Sequence, residues 1–294
     1  MPLERTVKRA LTPVTGPRSR RAIIDGRDLA VGAAAAVRAR MGLGRAPAFV
    51  IVGAQKAGTT FLYQEITRHP DLGAALTKEI HFFDDHYRRG LRWYRGFFPN
   101  SPGLLLGESS PGYLFHPHAV ARIARDLPDV KLLVLLRDPA RRAFSHYLHE
   151  SRLGYEPAAT FDQALALEPS RLDGELEAMA ADDGYVSYRY RHFSYRSRGL
   201  YLDQVKRCHD LVGQERVKVI RSEDLYRPGS TVQAEVFAYL GVRPWQPDAP
   251  GRNDMAADRT ARMDPGIEAE LREFYRPHND ALFAYLGWEG GWKG

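Results

Sequence analysis

Between Gly53 and Thr60 the chain reads Gly-Ala-Gln-Lys-Ala-Gly-Thr-Thr, directly after the apolar run Phe49-Val50-Ile51-Val52. A strand that breaks at a glycine and restarts as a helix turns unpaired N–H groups toward the gap, and the helix dipole adds positive potential there. Such a turn holds an anion. The usual nucleotide loop places its lysine directly after the second glycine, as G-x-x-x-x-G-K-[ST]. Here Thr59 follows Gly58, and the lysine lies inside the loop at Lys56. Lys56, Ala57, Gly58, Thr59 and Thr60 are therefore candidate anion ligands, with the cation displaced from its triphosphate position. A second cation, Arg137, ends another apolar run, Lys131 to Leu136, and Asp138-Pro139 then opens a helix.

These residues need a scaffold that brings two strand ends together. Lys131 to Leu136 carries no polar alternation, which suits a central parallel strand covered on both faces. Phe49 to Val52 and Val217 to Ile220 are further strands. Helices are predicted from Thr60 to His69, where Pro70 stops the run, after Asp138, from Ser230 to Leu240 and from Pro265 to Leu286. Strands alternating with helices predict an α/β fold, P-loop-like and three-layered, with a central, mostly parallel sheet flanked by helices. In such sheets ligands lie beyond the carboxyl ends of the strands, so the loop and Arg137 are expected to share one cleft.

The chain has 294 residues and a net charge of +6, unevenly placed. Residues 1–46 hold ten Lys/Arg against Glu4, Asp25 and Asp28, and the remainder has 32 basic and 33 acidic residues. The body is close to neutral, which argues against a nucleic-acid partner. The division expected is a basic, partly disordered arm over 1–46, with one short helix in its alanine-rich part, and a catalytic domain over 47–294. Leu29 to Val37 is too short and too closely followed by Arg38 and Arg40 for a signal core, and no run reaches the roughly 18 apolar residues of a membrane span. A soluble, cytoplasmic protein is expected, with weak membrane-surface contact as the alternative use of the arm. The single cysteine, Cys208, rules out an internal disulfide and falls in a helix-like stretch, as a structural or surface thiol.

Taken together, the motifs resemble those of sulfotransferases that use 3′-phosphoadenylyl sulfate (PAPS). Gly53 to Thr60 is similar to their 5′-phosphosulfate loop, and Arg137-Asp138-Pro139-Ala140-Arg141-Arg142-Ala143-Phe144-Ser145 to their 3′-phosphate motif. Lys78-Glu79-Ile80-His81-Phe82-Phe83-Asp84, Gly90 to Tyr94, Ser197 to Tyr201 and Arg259 to Pro265 narrow the likeness to the heparan sulfate branch, the glucosaminyl 3-O- and N-sulfotransferases. The resemblance covers residues 47–288. Ser109 stands where that branch has a lysine, Thr260-Ala261-Arg262 where it has Lys-Gly-Arg, and its paired cysteines are missing.

The resemblance implies a donor, PAPS, leaving as 3′,5′-adenosine bisphosphate, and no metal. Lys56 would contact the bridging oxygen and the 5′-phosphosulfate, with Ala57, Gly58, Thr59 and Thr60 around it. Arg137, Ser145 and Arg262 would hold the 3′-phosphate. Glu79 is implied as the base for the acceptor hydroxyl or amine, and His81, two residues on, would orient it or act as base itself. The implied acceptor is a carbohydrate or glycosylated metabolite. Asp84 is either a surface carboxylate or an acceptor contact, and Trp93 and Tyr94 belong in the core more than in a sugar platform. The Tyr185, Tyr188, Arg189, Tyr190, Arg191 and His192 cluster, in the least regular stretch, is a candidate wall of the acceptor cleft. His116 and His118 have no metal-ligand spacing. Two other functions fit parts of the pattern: a P-loop kinase or NTPase, which needs a lysine after Gly58, and a catalytically silent PAPS-binding module.

Overall fold

In a computed structural model of the chain, residues 17–227, 229–247 and 261–292 are described. Helix α1 (Pro17–Arg40) leads into strand β1 (Phe49–Gly53), the glycine turn and helix α2 (Thr59–Ile66). Strands β2 (Leu72–Ala74), β3 (Leu105–Ser109), β4 (Lys131–Leu136) and β5 (Val217–Arg221) complete one sheet, ordered β2-β3-β1-β4-β5 and parallel throughout. The sheet is flanked by helices, giving the three-layer, P-loop-like architecture expected.

β1 and β4 lie at the centre of the sheet and are almost entirely buried, which is why they read as unbroken apolar runs. β2 and β3 are strands that hydropathy does not announce. β2 has three residues, and β3 carries Gly107 and Glu108 where an apolar run would be expected. Gly107 is required there, because a Cβ would run into the Phe49 ring of the neighbouring strand. Glu108 is tolerated because three hydroxyls hold it: Tyr94 at 2.8 Å, Ser110 at 2.7 Å and Tyr113 at 3.2 Å.

α1 is longer than the short helix predicted for the arm. Its last turns dock on the body through buried Ala35 and Ala39, and the Arg38 guanidinium donates to the Gly96 and Phe98 carbonyls at 2.9 and 3.1 Å. The expected disorder in the first residues falls outside the described residues. Helix α3 (Pro139–Leu153) starts on an Asp138 cap, whose carboxylate accepts from the Ala140 and Arg141 N–H groups. A helical segment over 161–193 follows, ending in helix α4 (Tyr188–Phe193), and then comes helix α5 (Tyr201–Val212). Cys208 lies fully buried in α5, and burial pushes its thiol up to about 12. Helix α6 (Pro265–Leu286) closes the described chain and packs on α3 and α5.

Candidate active site

The glycine loop stands at the carboxyl edge of the sheet. Gly58, with φ of 94°, sits at the N-terminus of α2, and a side chain there would meet the Tyr226 hydroxyl. Two side chains brace the loop from neighbouring strand ends. Ser222, after β5, donates to the Ala57 carbonyl at 2.7 Å, and Arg137, after β4, donates to the Lys56 carbonyl at 3.1 Å. The loop and Arg137 are therefore in direct contact at the carboxyl edge of the sheet. Arg137 does not lean on Asp138, whose carboxylate caps α3 and faces Arg272 at 3.4 Å. Ser145 lies buried in the second turn of α3. Arg262 is exposed ahead of α6, and Arg259 and Thr260 lie outside the described residues.

The second half of the site is the turn Lys78 to Asp85. Its backbone is not extended at Glu79 and His81. Both residues are left-handed, with φ of 62° and 52°, and with Lys56, φ 70°, they are the non-glycine residues of positive φ among those described. Each such conformation costs about 1–3 kcal/mol and persists only where surroundings impose it, which is common at functional sites. Two hydrogen bonds impose it here. The Glu79 N–H donates to the Ser109 carbonyl at 3.0 Å, and the His81 N–H to the Ser110 hydroxyl at 3.2 Å. That hydroxyl in turn donates to Glu108, which burial pushes up to about 7 against the pull of its hydroxyl donors.

Charge alternates through the turn. The Lys78 ammonium contacts Glu79, the His81 Nε2 lies 3.8 Å from the Glu79 carboxylate, and His81 Nδ1 meets Asp84 at 2.9 Å. Burial works against ionising Glu79, but the Lys78 and His81 charges outweigh it and hold the carboxyl well below its usual range. Burial likewise opposes a charged His81, yet Asp84 raises the ring to about 10 despite nearby Arg191. Asp84 is held low, burial being outweighed by His81. At neutral pH the row is an ionised Glu79, an imidazolium and an ionised Asp84. His81 is thus protonated and suited to orienting Glu79, while the base role left open for it needs a neutral ring. Asp84 is a buried partner of His81 and not a surface carboxylate.

Several site residues carry no sequence signal. Gly112 leaves room for Asp84, whose Oδ2 would lie 2.8 Å from a Cβ there. His149, one turn beyond Ser145 on α3, is depressed by burial and then by the Lys56 charge, while Glu79 acts in the opposite sense. The 161–193 segment closes over the turn: Arg191 of α4 pairs with Asp85, Arg88 with Asp182, and Arg122 bonds the Phe83 and Asp183 carbonyls at 2.8 and 2.6 Å. The tyrosine- and arginine-rich cluster thus adjoins the turn at Asp85. Tyr94 is core, and Trp93 packs edge-on to Phe97. His118 contacts the Met179 carbonyl and the His116 ring accepts the His118 N–H, so neither faces a ligand set. Among the described residues, His81, Asp84 and Asp85 have ligand atoms within 4.8 Å of one another. His81 and Arg191 already supply the positive charge there.

Comparison with known proteins places the chain among relatives. The sulfotransferase domain profile matches residues 46–247. Human heparan sulfate glucosamine 3-O-sulfotransferase 6 is 32% identical over 263 residues, covering 84% of this chain and 74% of that one. Human heparan sulfate glucosamine 3-O-sulfotransferase 3A1 is 29% identical, covering 84% of this chain and 63% of its own length. The chain thus spans roughly two thirds of these curated relatives. A sulfotransferase from Alicyclobacillus acidocaldarius, solved by crystallography, superposes with a TM-score of 0.67 at 32% identity, over 83% of this chain and 96% of that one. No helix among the described residues is long and apolar enough to cross a membrane.

Proposed function

The chain belongs to the sulfotransferase domain family, and on that premise we propose that it transfers a sulfuryl group from PAPS to a hydroxyl or amine of a carbohydrate or glycosylated acceptor. The observation that carries this reading is the direct bond from Arg137 to the Lys56 carbonyl, which puts the proposed 3′-phosphate and phosphosulfate residues in contact.

The acceptor oxygen attacks sulfur, the bond from sulfur to the bridging phosphate oxygen breaks, and 3′,5′-adenosine bisphosphate leaves. Charge builds on that bridging oxygen. Lys56 and the N–H groups of Gly58, Thr59 and Thr60 are suited to meet it, already oriented by the loop. The acceptor proton passes to Glu79. A carboxylate held this low is a weak base, adequate when bond breaking to the leaving group runs ahead of nucleophile charge. The His81 imidazolium keeps Glu79 ionised and aimed. Ala57 supplies backbone to the loop, and Ser145 and Arg262 complete the proposed 3′-phosphate contacts. Lys56 and the loop dipole provide the positive charge on the donor side, so the proposed reaction needs no metal.

Calorimetric titration with 3′,5′-adenosine bisphosphate and with AMP tests the donor. The bisphosphate should bind at least about tenfold tighter, and Arg137→Ala should remove most of that lead, since a charge-assisted hydrogen bond contributes about 1.5–3 kcal/mol. Equal affinity for AMP would overturn the 3′-phosphate assignment.

A further inference from the structure

Helix α4 presents an aromatic surface beside the catalytic turn that the chemistry above does not use. Tyr188 is 45% exposed, and it is flanked by exposed Tyr185 and Val186. The local cause is Ser187: its buried side chain caps α4 by accepting the Tyr190 N–H and donates to Glu175, so the residues on either side are turned outward. Behind Tyr188 the His192 ring stacks on Tyr155 at 4.2 Å and 21°, with Tyr188 4.5 Å from His192. Glu150 fixes the imidazole by its contact with Nδ1 at 2.8 Å.

This surface lies beside the turn. Tyr188, Arg191 and His192 are spaced i, i+3 and i+4, which places them on one face of α4. Arg191 on that face is tied to Asp85, next to the Asp84 that holds His81. Tyr188 thus shares a helix face with the residue that pins the turn.

The charges around the surface decide what kind of molecule. Lys78 meets Glu79, Arg191 meets Asp85, Arg88 meets Asp182, Arg122 meets Asp183 and Arg189 lies 3.9 Å from Glu175. Each of these five cations faces a carboxylate. Outside residues 1–46 the chain has one more acidic residue than basic. A surface that captures a polyanion needs cations in excess, and this one presents balanced pairs around apolar rings.

We infer that Tyr188, backed by the His192–Tyr155 stack, is a docking platform for an uncharged pyranose ring of the acceptor, and that the acceptor is a neutral glycan or glycoside, not a sulfated or uronate-rich chain. This rests on the sulfuryl-transfer reading above. A flat apolar sugar face covers an aromatic ring while its rim hydroxyls stay hydrated, which suits a half-exposed tyrosine.

The test titrates the full chain with chitotriose and with an N-sulfated heparosan oligosaccharide of equal length. Saturation-transfer NMR and calorimetry are read in low and raised salt, with 3′,5′-adenosine bisphosphate present and absent. Chitotriose should bind with an affinity that salt barely changes, because it carries no charge to screen. Tyr188→Ala should weaken it about tenfold, and Tyr188→Trp should restore it, with adenosine bisphosphate binding unaltered in both. Unchanged chitotriose binding in Tyr188→Ala, or none in the parent, would overturn the platform. A heparosan oligosaccharide that binds about tenfold tighter and loses that lead in salt would overturn the neutral-acceptor assignment. Failure of adenosine bisphosphate to bind counts against the donor reading alone, since the sugar titration is also read in its absence.

Discussion

The glycine loop and the Glu79 turn are held by different means. The loop stands on the carboxyl edge of a sheet whose central strands are buried, and its braces, Arg137 and Ser222, come from the ends of β4 and β5. The Glu79 turn stands on no regular element of its own. Its backbone bonds to Ser109 and Ser110, its Ile80, Phe82 and Phe83 side chains are buried in the main core, and its outer wall is pinned by ion pairs between residues distant in sequence, such as Arg191 with Asp85. A donor common to a family can be met by a rigid sheet edge, whereas an acceptor that differs between members is better met by a wall joined through replaceable contacts.

The sharpest way to separate the halves is Glu79→Gln. Turnover should fall by about 10²-fold or more while adenosine bisphosphate affinity stays within about twofold, read by sulfate transfer and calorimetry. A parallel loss of affinity would mean the halves are not separable. Gly58→Ala attacks the other side. Its positive φ and the Tyr226 hydroxyl leave no room for a methyl group, so it should cost about 1–3 kcal/mol in urea denaturation and weaken the bisphosphate, with chitotriose binding intact.

Acidity probes the turn without mutation. His81 is raised above its ordinary value, so the stabilisation from its charge is complete below the unfolded-state pKa and is lost as pH rises through about 10. Glu79 is depressed, so its contribution persists until pH falls below the ordinary carboxylate range. Turnover should therefore be level through neutrality and halve near pH 10, with Asp84→Asn shifting that limb to lower pH; an unmoved limb would take His81 out of the profile. The smallest effect is expected at Arg88→Ala. Its pair with Asp182 is solvent-exposed on both sides, so stability should change by no more than about 0.5 kcal/mol. A larger loss would make the acceptor wall as rigid as the sheet edge.

The same contrast explains what could be read from the amino acids. β1, β4 and the loop are local patterns, an apolar run followed by glycine-bracketed residues, and they appear where the pattern puts them. β3 was illegible because Gly107 answers to the Phe49 ring of another strand, and Glu108 to three hydroxyls. Glu79 and His81 were legible as a motif, but their left-handed backbone follows from Ser109 and Ser110, roughly thirty residues away in sequence. His149 and the Arg191–Asp85 pair depend on how α3 and α4 fold over the turn, which no periodicity encodes.

Cys208 has a practical consequence. It is the sole thiol of the chain, fully buried in α5, with its ionisation suppressed by burial. A maleimide or disulfide reagent can reach it only when α5 leaves the sheet, so the labelling rate counts those openings. α5 begins at Tyr201, whose hydroxyl holds the Arg137 carbonyl at 2.9 Å. Any ligand that fastens Arg137 must then slow the label, which turns one inert sulfur into a gauge of occupancy at the far end of its helix.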